Sequence, residues 1–271
     1  MSRIRRVIPG VDPKLLIKDA TKVMPDPTRR LFLRGGASLG ALTFLTGCDI
    51  VDGFSAEQAL MKISYFNDRA QAWLFNPNRL APTYPESAIT RPFPFNAYYP
   101  VEEAPEVDGE NYELEVGGLV ENKKTWTLKE LYALPEESQI TRHICVEGWS
   151  AIGKWSGTRL SEFLRRVGAD LTAKYVWFRC AEGYHTSIDM PTALHPQTQM
   201  TFKFDGEILP TKYGFPMKVR IPTKLGFKNP KHVMEMAVIN NWNPGYWEEK
   251  GYNWFSGSLA LPRFLTSGAP G

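Results

Sequence analysis

Cysteine is scarce in this chain, with three residues in 271. That excludes a disulfide-knit scaffold, a four-cysteine zinc site and an iron–sulfur cluster. No C-x-x-C pair, no C-x-x-C-H haem attachment and no H-E-x-x-H helix occurs. From Cys48 onward the chain also lacks G-x-G-x-x-G, a P-loop and a nucleophile elbow. Long apolar runs are missing too. The stretch Gly35 to Thr46 is mildly apolar but falls short of the roughly 20 residues that span a bilayer. Heptads and solenoid repeats are absent, and 21 prolines with 22 glycines argue against a helical bundle. Eight tryptophans and fifteen phenylalanines exclude a disordered chain. Net charge is small, at +3, and unevenly placed. Residues 1–47 carry nine Lys/Arg against three Asp/Glu, leaving 23 against 26 from Cys48 onward. The basicity belongs to the leading segment, so it gives no reason to expect a nucleic-acid partner.

That leading segment reads as an address. Thr28-Arg29-Arg30-Leu31-Phe32-Leu33-Arg34 matches the twin-arginine export pattern, and Leu45-Thr46-Gly47-Cys48 resembles a bacterial lipobox. The expectation is an export signal over 1–47, a lipid anchor on Cys48, and a periplasmic location at the inner membrane, which Asp49 favours. Twin-arginine substrates fold before export, many of them around a cofactor, which points toward a redox enzyme.

The remainder predicts an α+β domain. Ser55 to Gln58 reads as a capping box, followed by Leu60, Ile63, Phe66, Ala70, Trp73 and Leu74 at helical spacing, with Pro77 as the stop. Residues 48–90 thus form a helix and linker, and 77–110 a long ordered loop. Strands are expected around Tyr112–Val116 and over 138–147, 174–181, 199–204, 217–222 and 232–241. Thr127 with Glu130 caps a short helix, and Leu160, Phe163, Leu164 and Val167 mark another, closed by Gly168. Asp205-Gly206 is a tight-turn signal. Strands outnumber helices without βα alternation, which disfavours a doubly wound fold.

The chemistry centres on Cys145, in Arg142-His143-Ile144-Cys145-Val146-Glu147-Gly148-Trp149-Ser150. Three readings stay open from the residues: a disulfide with Cys180, an inert buried thiol, or a thiolate metal ligand favoured by nearby cations. One protein thiolate suffices for a metal only if a cofactor supplies the other ligands. His143 lies two residues from Cys145, on the same face of an extended strand. Trp242, Trp247, Tyr252, Trp254 and Phe255 read first as packing, with a substrate funnel or redox-partner face as the alternative. Lys224, Lys228 and Lys231 on their own read as a solvated basic loop.

Arg142–Trp155, together with the run Tyr213–Pro222 and its continuation Lys224–Lys231, resembles the sulfite-oxidase-type molybdoenzymes. Within that family it is most similar to the periplasmic branch that includes the catalytic subunit of protein-methionine-sulfoxide reductase. The resemblance implies a molybdopterin-binding fold of mixed sheets with short peripheral helices, and a catalytic domain over 91–271. It implies one molybdenum–molybdopterin per chain, with Cys145 as metal ligand and catalytic centre. By the same resemblance Asn96, Tyr99, Cys180, Tyr213, Lys218, Asn229 and Lys231 bind the cofactor. The implied reaction is oxygen-atom-transfer reduction of S-oxides such as protein methionine sulfoxide, with a membrane b-type cytochrome as electron donor. Sulfite or small-oxyanion dehydrogenation is the alternative. Ser150 stands where sulfite oxidases usually carry an arginine, and Lys218 replaces another, which weighs against sulfite.

Overall fold

The computed structural model describes residues 56–256. The twin-arginine motif, the lipobox and Ser55 of the expected capping box lie outside them. Two five-stranded sheets organise the domain. The first has the order β2 (Thr125–Thr127), β1 (Glu113–Gly118), β10 (Val233–Ile239), β5 (Tyr175–Cys180), β6 (His185–Asp189). Only its β1–β10 pairing is parallel. The second runs β3 (Glu137–Ile144), β4 (Ser150–Arg159), β7 (Gln199–Phe204), β8 (Glu207–Ile208), with β9 (Lys218–Arg220) also on β7.

Period-2 burial shows why these segments become strands. Leu114 and Val116 of β1, and Val176 and Phe178 of β5, point inward while their neighbours stay at least partly exposed. Short helices cover the sheets: α2 (Leu128–Tyr132), α3 (Leu160–Arg166) and α4 (Met190–Ala193). The Thr127 capping box on α2 is complete, with Thr127 Oγ1 accepting from Glu130 N and Glu130 Oε2 accepting from Thr127 N. Leu160, Phe163 and Leu164 of α3 are fully buried, and Gly168 ends that helix in the left-handed region at φ 65°. Leu114, Val176 and Val238 from the first sheet share one core with Met200, Phe202 and Val219 from the second. Truncating Leu160 to alanine in such a core costs about 2–5 kcal/mol.

The expected strands are present, with instructive differences. β3 stops at Ile144, and residues 145–148 form a turn instead of continuing to 147. The ten-residue strand β4 carries weak β-propensity, with glycine at 153 and 157. Gly157 is needed there, because a Cβ would run into the Met200 backbone of β7. The first helix, α1 (Ala56–Leu74), stops before Pro77 as its spacing predicts, yet Ile63, Phe66, Trp73 and Leu74 of its apolar stripe are exposed. Asp68 on α1 instead accepts hydrogen bonds from Trp254 N and Phe255 N. Among the described residues no helix is long and apolar enough to cross a membrane.

Candidate active site

Two hairpin tips, one from each sheet, border the same cleft. At the β3–β4 tip the Cys145 N–H donates to Trp149 O at 2.9 Å and the Gly148 N–H to Cys145 O at 3.1 Å. At the β5–β6 tip the Cys180 N–H donates to Tyr184 O at 2.8 Å and the Gly183 N–H to Cys180 O at 3.1 Å. Gly148 and Gly183 sit at φ 94° and 81°, a region that glycine enters without steric cost. The shared geometry follows from a shared pattern, C-V-E-G-W and C-A-E-G-Y.

The cleft has a volume of about 770 Å³ with its open mouth included. Cys145 and Glu147 line one side, with Glu182 and Tyr184 from the other tip. Asn96, Tyr98 and Tyr99 come from the proline-rich loop, and Gly226, Asn229 and Lys231 from the segment between β9 and β10. Trp247 and Tyr252 complete the wall. The C-terminal aromatics are therefore divided: Phe255 is core, while these two face the cleft. Cys145 Sγ lies 3.6 Å from Glu147 Oε2, which also accepts from Trp149 Nε1 at 2.9 Å. Burial pushes the Cys145 thiol up, so ligation by a cation is what would draw off its proton.

Cations gather on and behind the cleft wall. Lys218 and Arg220 project from the same face of β9, and both are buried. Arg220 donates through Nη1 to Asn229 Oδ1 at 2.8 Å and through Nη2 to Arg142 O at 2.6 Å, tying β3, which leads into Cys145, to the 225–231 segment. Asn229 Oδ1 also accepts from Ile221 N at 2.7 Å. Lys231 Nζ donates to Asn96 O at 2.8 Å and lies 4.6 Å over the Phe95 ring. Burial draws Arg220 down to about 9 and Lys231 to about 8. Lys218 falls well below its ordinary value, through burial first and then through Lys231 and Arg220. None of the three enters an ion pair among the described residues. His143 is 1% exposed with both ring nitrogens unpartnered, and burial and these cations hold it neutral. A Cβ on Gly226 would lie 2.6 Å from His143 Nε2 and 3.2 Å from Asn96 Nδ2.

Five of the expected site residues, Cys145, Asn96, Tyr99, Asn229 and Lys231, meet at the cleft. Three do not line it. Lys218 lies behind the wall, 5.3 Å over the Trp155 ring. Tyr213 packs with Phe93 and Trp155 and donates its hydroxyl to Phe93 O at 2.6 Å. Cys180 is in the main core, and its burial holds the thiol well above its ordinary value. Both Cys145 and Cys180 are free thiols, so the disulfide reading fails. The basic segment is not solvated as its lysines alone suggested. Lys228 is buried against Glu248 at 2.5 Å, and Lys224 lies 2.9 Å over the Phe255 ring. Sequence reasoning missed Arg220 and Glu182. The repeated C-x-E-G-aromatic pattern was a signal that could have found Glu182.

Residues 101–247 match the family described as the oxidoreductase molybdopterin binding domain. The chain belongs to that family. A protein of Azospira oryzae, provisionally named a protein-methionine-sulfoxide reductase subunit, YedZ1, is 61% identical over 89% of this chain and 92% of its own length. The protein-methionine-sulfoxide reductase catalytic subunit MsrP of Ralstonia nicotianae is 32% identical over 66% of this chain and 62% of its own. The oxidoreductase YuiH of Bacillus subtilis, uncharacterized by name, is 28% identical over 54% of this chain and 74% of its own. The chain is a molybdopterin oxidoreductase, and its cofactor is molybdenum held by molybdopterin. The residues present fit that group. Among the described residues three buried or half-buried cations enter no ion pair, an imidazole has two open nitrogens, and a single thiol stands on the cleft wall. A phosphate-bearing anion with a pterin ring satisfies the first two, and a metal completed by dithiolene sulfur suits the third.

Proposed function

We propose that this chain reduces S-oxides, with protein-bound methionine sulfoxide as the substrate class, using electrons from a membrane b-type cytochrome. The reading takes it as exported by the twin-arginine route and held at the periplasmic face of the inner membrane by a lipid on Cys48. The observation that carries the reading is Cys145 on the wall of a cleft backed by the buried cations Lys218 and Arg220. When bound, the molybdenum cofactor supplies two-electron oxygen-atom-transfer chemistry.

The protein's own residues do the rest. Cys145 holds the metal from a hairpin tip whose backbone hydrogen bonds fix its direction. Lys231, with Lys218 and Arg220 behind it, supplies positive charge for the cofactor's anionic groups, and the missing side chain at Gly226 lets His143 and Asn96 pack against that segment. Asn229 acts mainly through its bonds to Arg220, Ile221 N and Leu225 O, which fix the bend. Tyr98, Trp247 and Tyr252 line the cleft with aromatic rings, against which the methyl and sulfur atoms of a methionine side chain pack favourably. The alternative, sulfite dehydrogenation, calls for a dianion-binding arginine, and position 150 has serine.

The test compares two assays on one preparation, reduction of methionine sulfoxide by a reduced viologen dye and oxidation of sulfite by ferricyanide. The proposal expects turnover in the first only. Sulfite oxidation without S-oxide reduction overturns it.

A further inference from the structure

The two hairpin tips repeat one pattern, but only the first supplies the thiol to the cleft. What the second supplies is a carboxyl group. Glu182 lines the cleft, and its Oε2 is buried without a hydrogen-bond partner among the described residues. The Tyr99 hydroxyl, in the same cleft, is likewise buried and unpartnered. Unpartnered polar atoms on a cavity wall are completed by a ligand or by water. Their neighbours define the electrostatics. Lys231 attracts the Glu182 carboxylate, while the ionisations of Tyr98, Tyr99, Cys180 and Tyr184 are each opposed by it. Glu147 lines the opposite side, exposed and already accepting from Trp149. Burial pushes the Glu182 carboxyl up to about 7, so it exchanges its proton near neutral pH. Lys218, Arg220 and Lys231 already provide for the cofactor's anionic groups, and a carboxylate beside such an anion is pushed further toward its acid form.

We infer that Glu182 delivers the protons consumed in S-oxide reduction, with Tyr99 beside it in the path from solvent. The inference rests on the function proposed above. Per turnover the S–O bond breaks, sulfur gains two electrons from the external reductant, and two O–H bonds form to release one water. Glu182 gives a proton toward that oxygen, is re-protonated from solvent through the cleft mouth, and gives a second. A group titrating close to the working pH suits such repeated transfer.

The test uses holoenzyme carrying Glu182→Gln and, as a conservative rescue, Glu182→Asp. The expected result for Glu182→Gln is unchanged molybdenum and pterin content and at least a tenfold loss of viologen-driven turnover. The fall in rate on the alkaline side of neutrality disappears with it. Glu182→Asp recovers part of the rate together with that fall. Infrared difference spectra give a readout independent of turnover, namely a carboxyl that titrates near neutral pH in the parent and is absent from Glu182→Gln. Loss of molybdenum or pterin on Glu182→Gln would assign the residue to cofactor binding and overturn the inference. An unaltered pH profile, or no carboxyl titrating near neutrality, overturns it as well. If the parent enzyme reduces no methionine sulfoxide, the function proposed above fails. The infrared titration, and the pH profile with dimethyl sulfoxide or an amine N-oxide, then still decide the role of Glu182.

Discussion

Cys145–Trp149 and Cys180–Tyr184 are the same turn twice, with the same pattern, matching backbone bonds and a left-handed glycine at the fourth position. Their chemistry differs because their strands differ in position. β3 ends the strand order of its sheet, and the residue that follows it, Cys145, lines the cleft. β5 lies between β10 and β6, and Cys180 pairs with Val233 across the β10 ladder. The edge exposes a thiol to the cleft, whereas the interior strand seals its thiol in the core and leaves its glutamate at the cleft. Local sequence sets the turn, and sheet order decides which side chain the cleft receives.

Substitutions at matched positions can break or sharpen this contrast. The largest difference is expected at the cysteines. Cys145→Ser should abolish viologen-driven turnover, by at least about three orders of magnitude. Cys180→Ser should keep most of it and instead lower unfolding stability by about 1–3 kcal/mol, the cost of burying a hydroxyl where the less polar thiol packs in the core. Equal loss of turnover in both variants would erase the distinction between the turns.

The glutamates come next. The folded chain holds Glu182 at about 7, above its ordinary value of 4.5, so the acid form is favoured by folding. Stability linked to it is present below pH 4.5, is lost as pH rises to 7, and stays lost above. Glu182→Gln should therefore stabilise the cofactor-free chain at pH 8 by about 1–2 kcal/mol and leave it unchanged near pH 4. Thermal unfolding at the two pH values checks this, and the opposite sign would mean that the carboxylate is well solvated.

The smallest effect is a test of sameness. A Cβ at Gly148 or Gly183 meets nothing within 4 Å, so Gly→Ala at either costs only the positive-φ penalty. Each should lose about 1 kcal/mol, and the two values should agree. A clearly larger loss at one turn would show that the likeness is only backbone-deep.

Most of the architecture was legible because its signals are local. The Thr127–Glu130 capping box, the Gly168 stop and the Asp205-Gly206 turn each act within a few residues. β4 was missed because glycine at 157 answers to the backbone of a neighbouring strand and glycine at 153 to aromatic rings packed over it. In the site, motif resemblance found Cys145 and the 229–231 bend. Arg220 escaped notice because it works through Arg142 O and Asn229, which are distant in sequence or hidden in a loop. Lys224 and Lys228 looked solvated because a charge's burial depends on partners such as Phe255 and Glu248, which arrive from the C-terminal segment. Glu182 needed both the repeated pattern and the knowledge that two sheets bring the tips to one cleft.

The central claim is that the first turn supplies the metal ligand and the second does not. Molybdenum per chain, measured on Cys145→Ser and Cys180→Ser produced in a host that makes molybdopterin, tests it directly. The account predicts about one molybdenum in the parent and in Cys180→Ser, and a near-total loss in Cys145→Ser. Full molybdenum in Cys145→Ser, or its loss in a folded Cys180→Ser, would contradict the account.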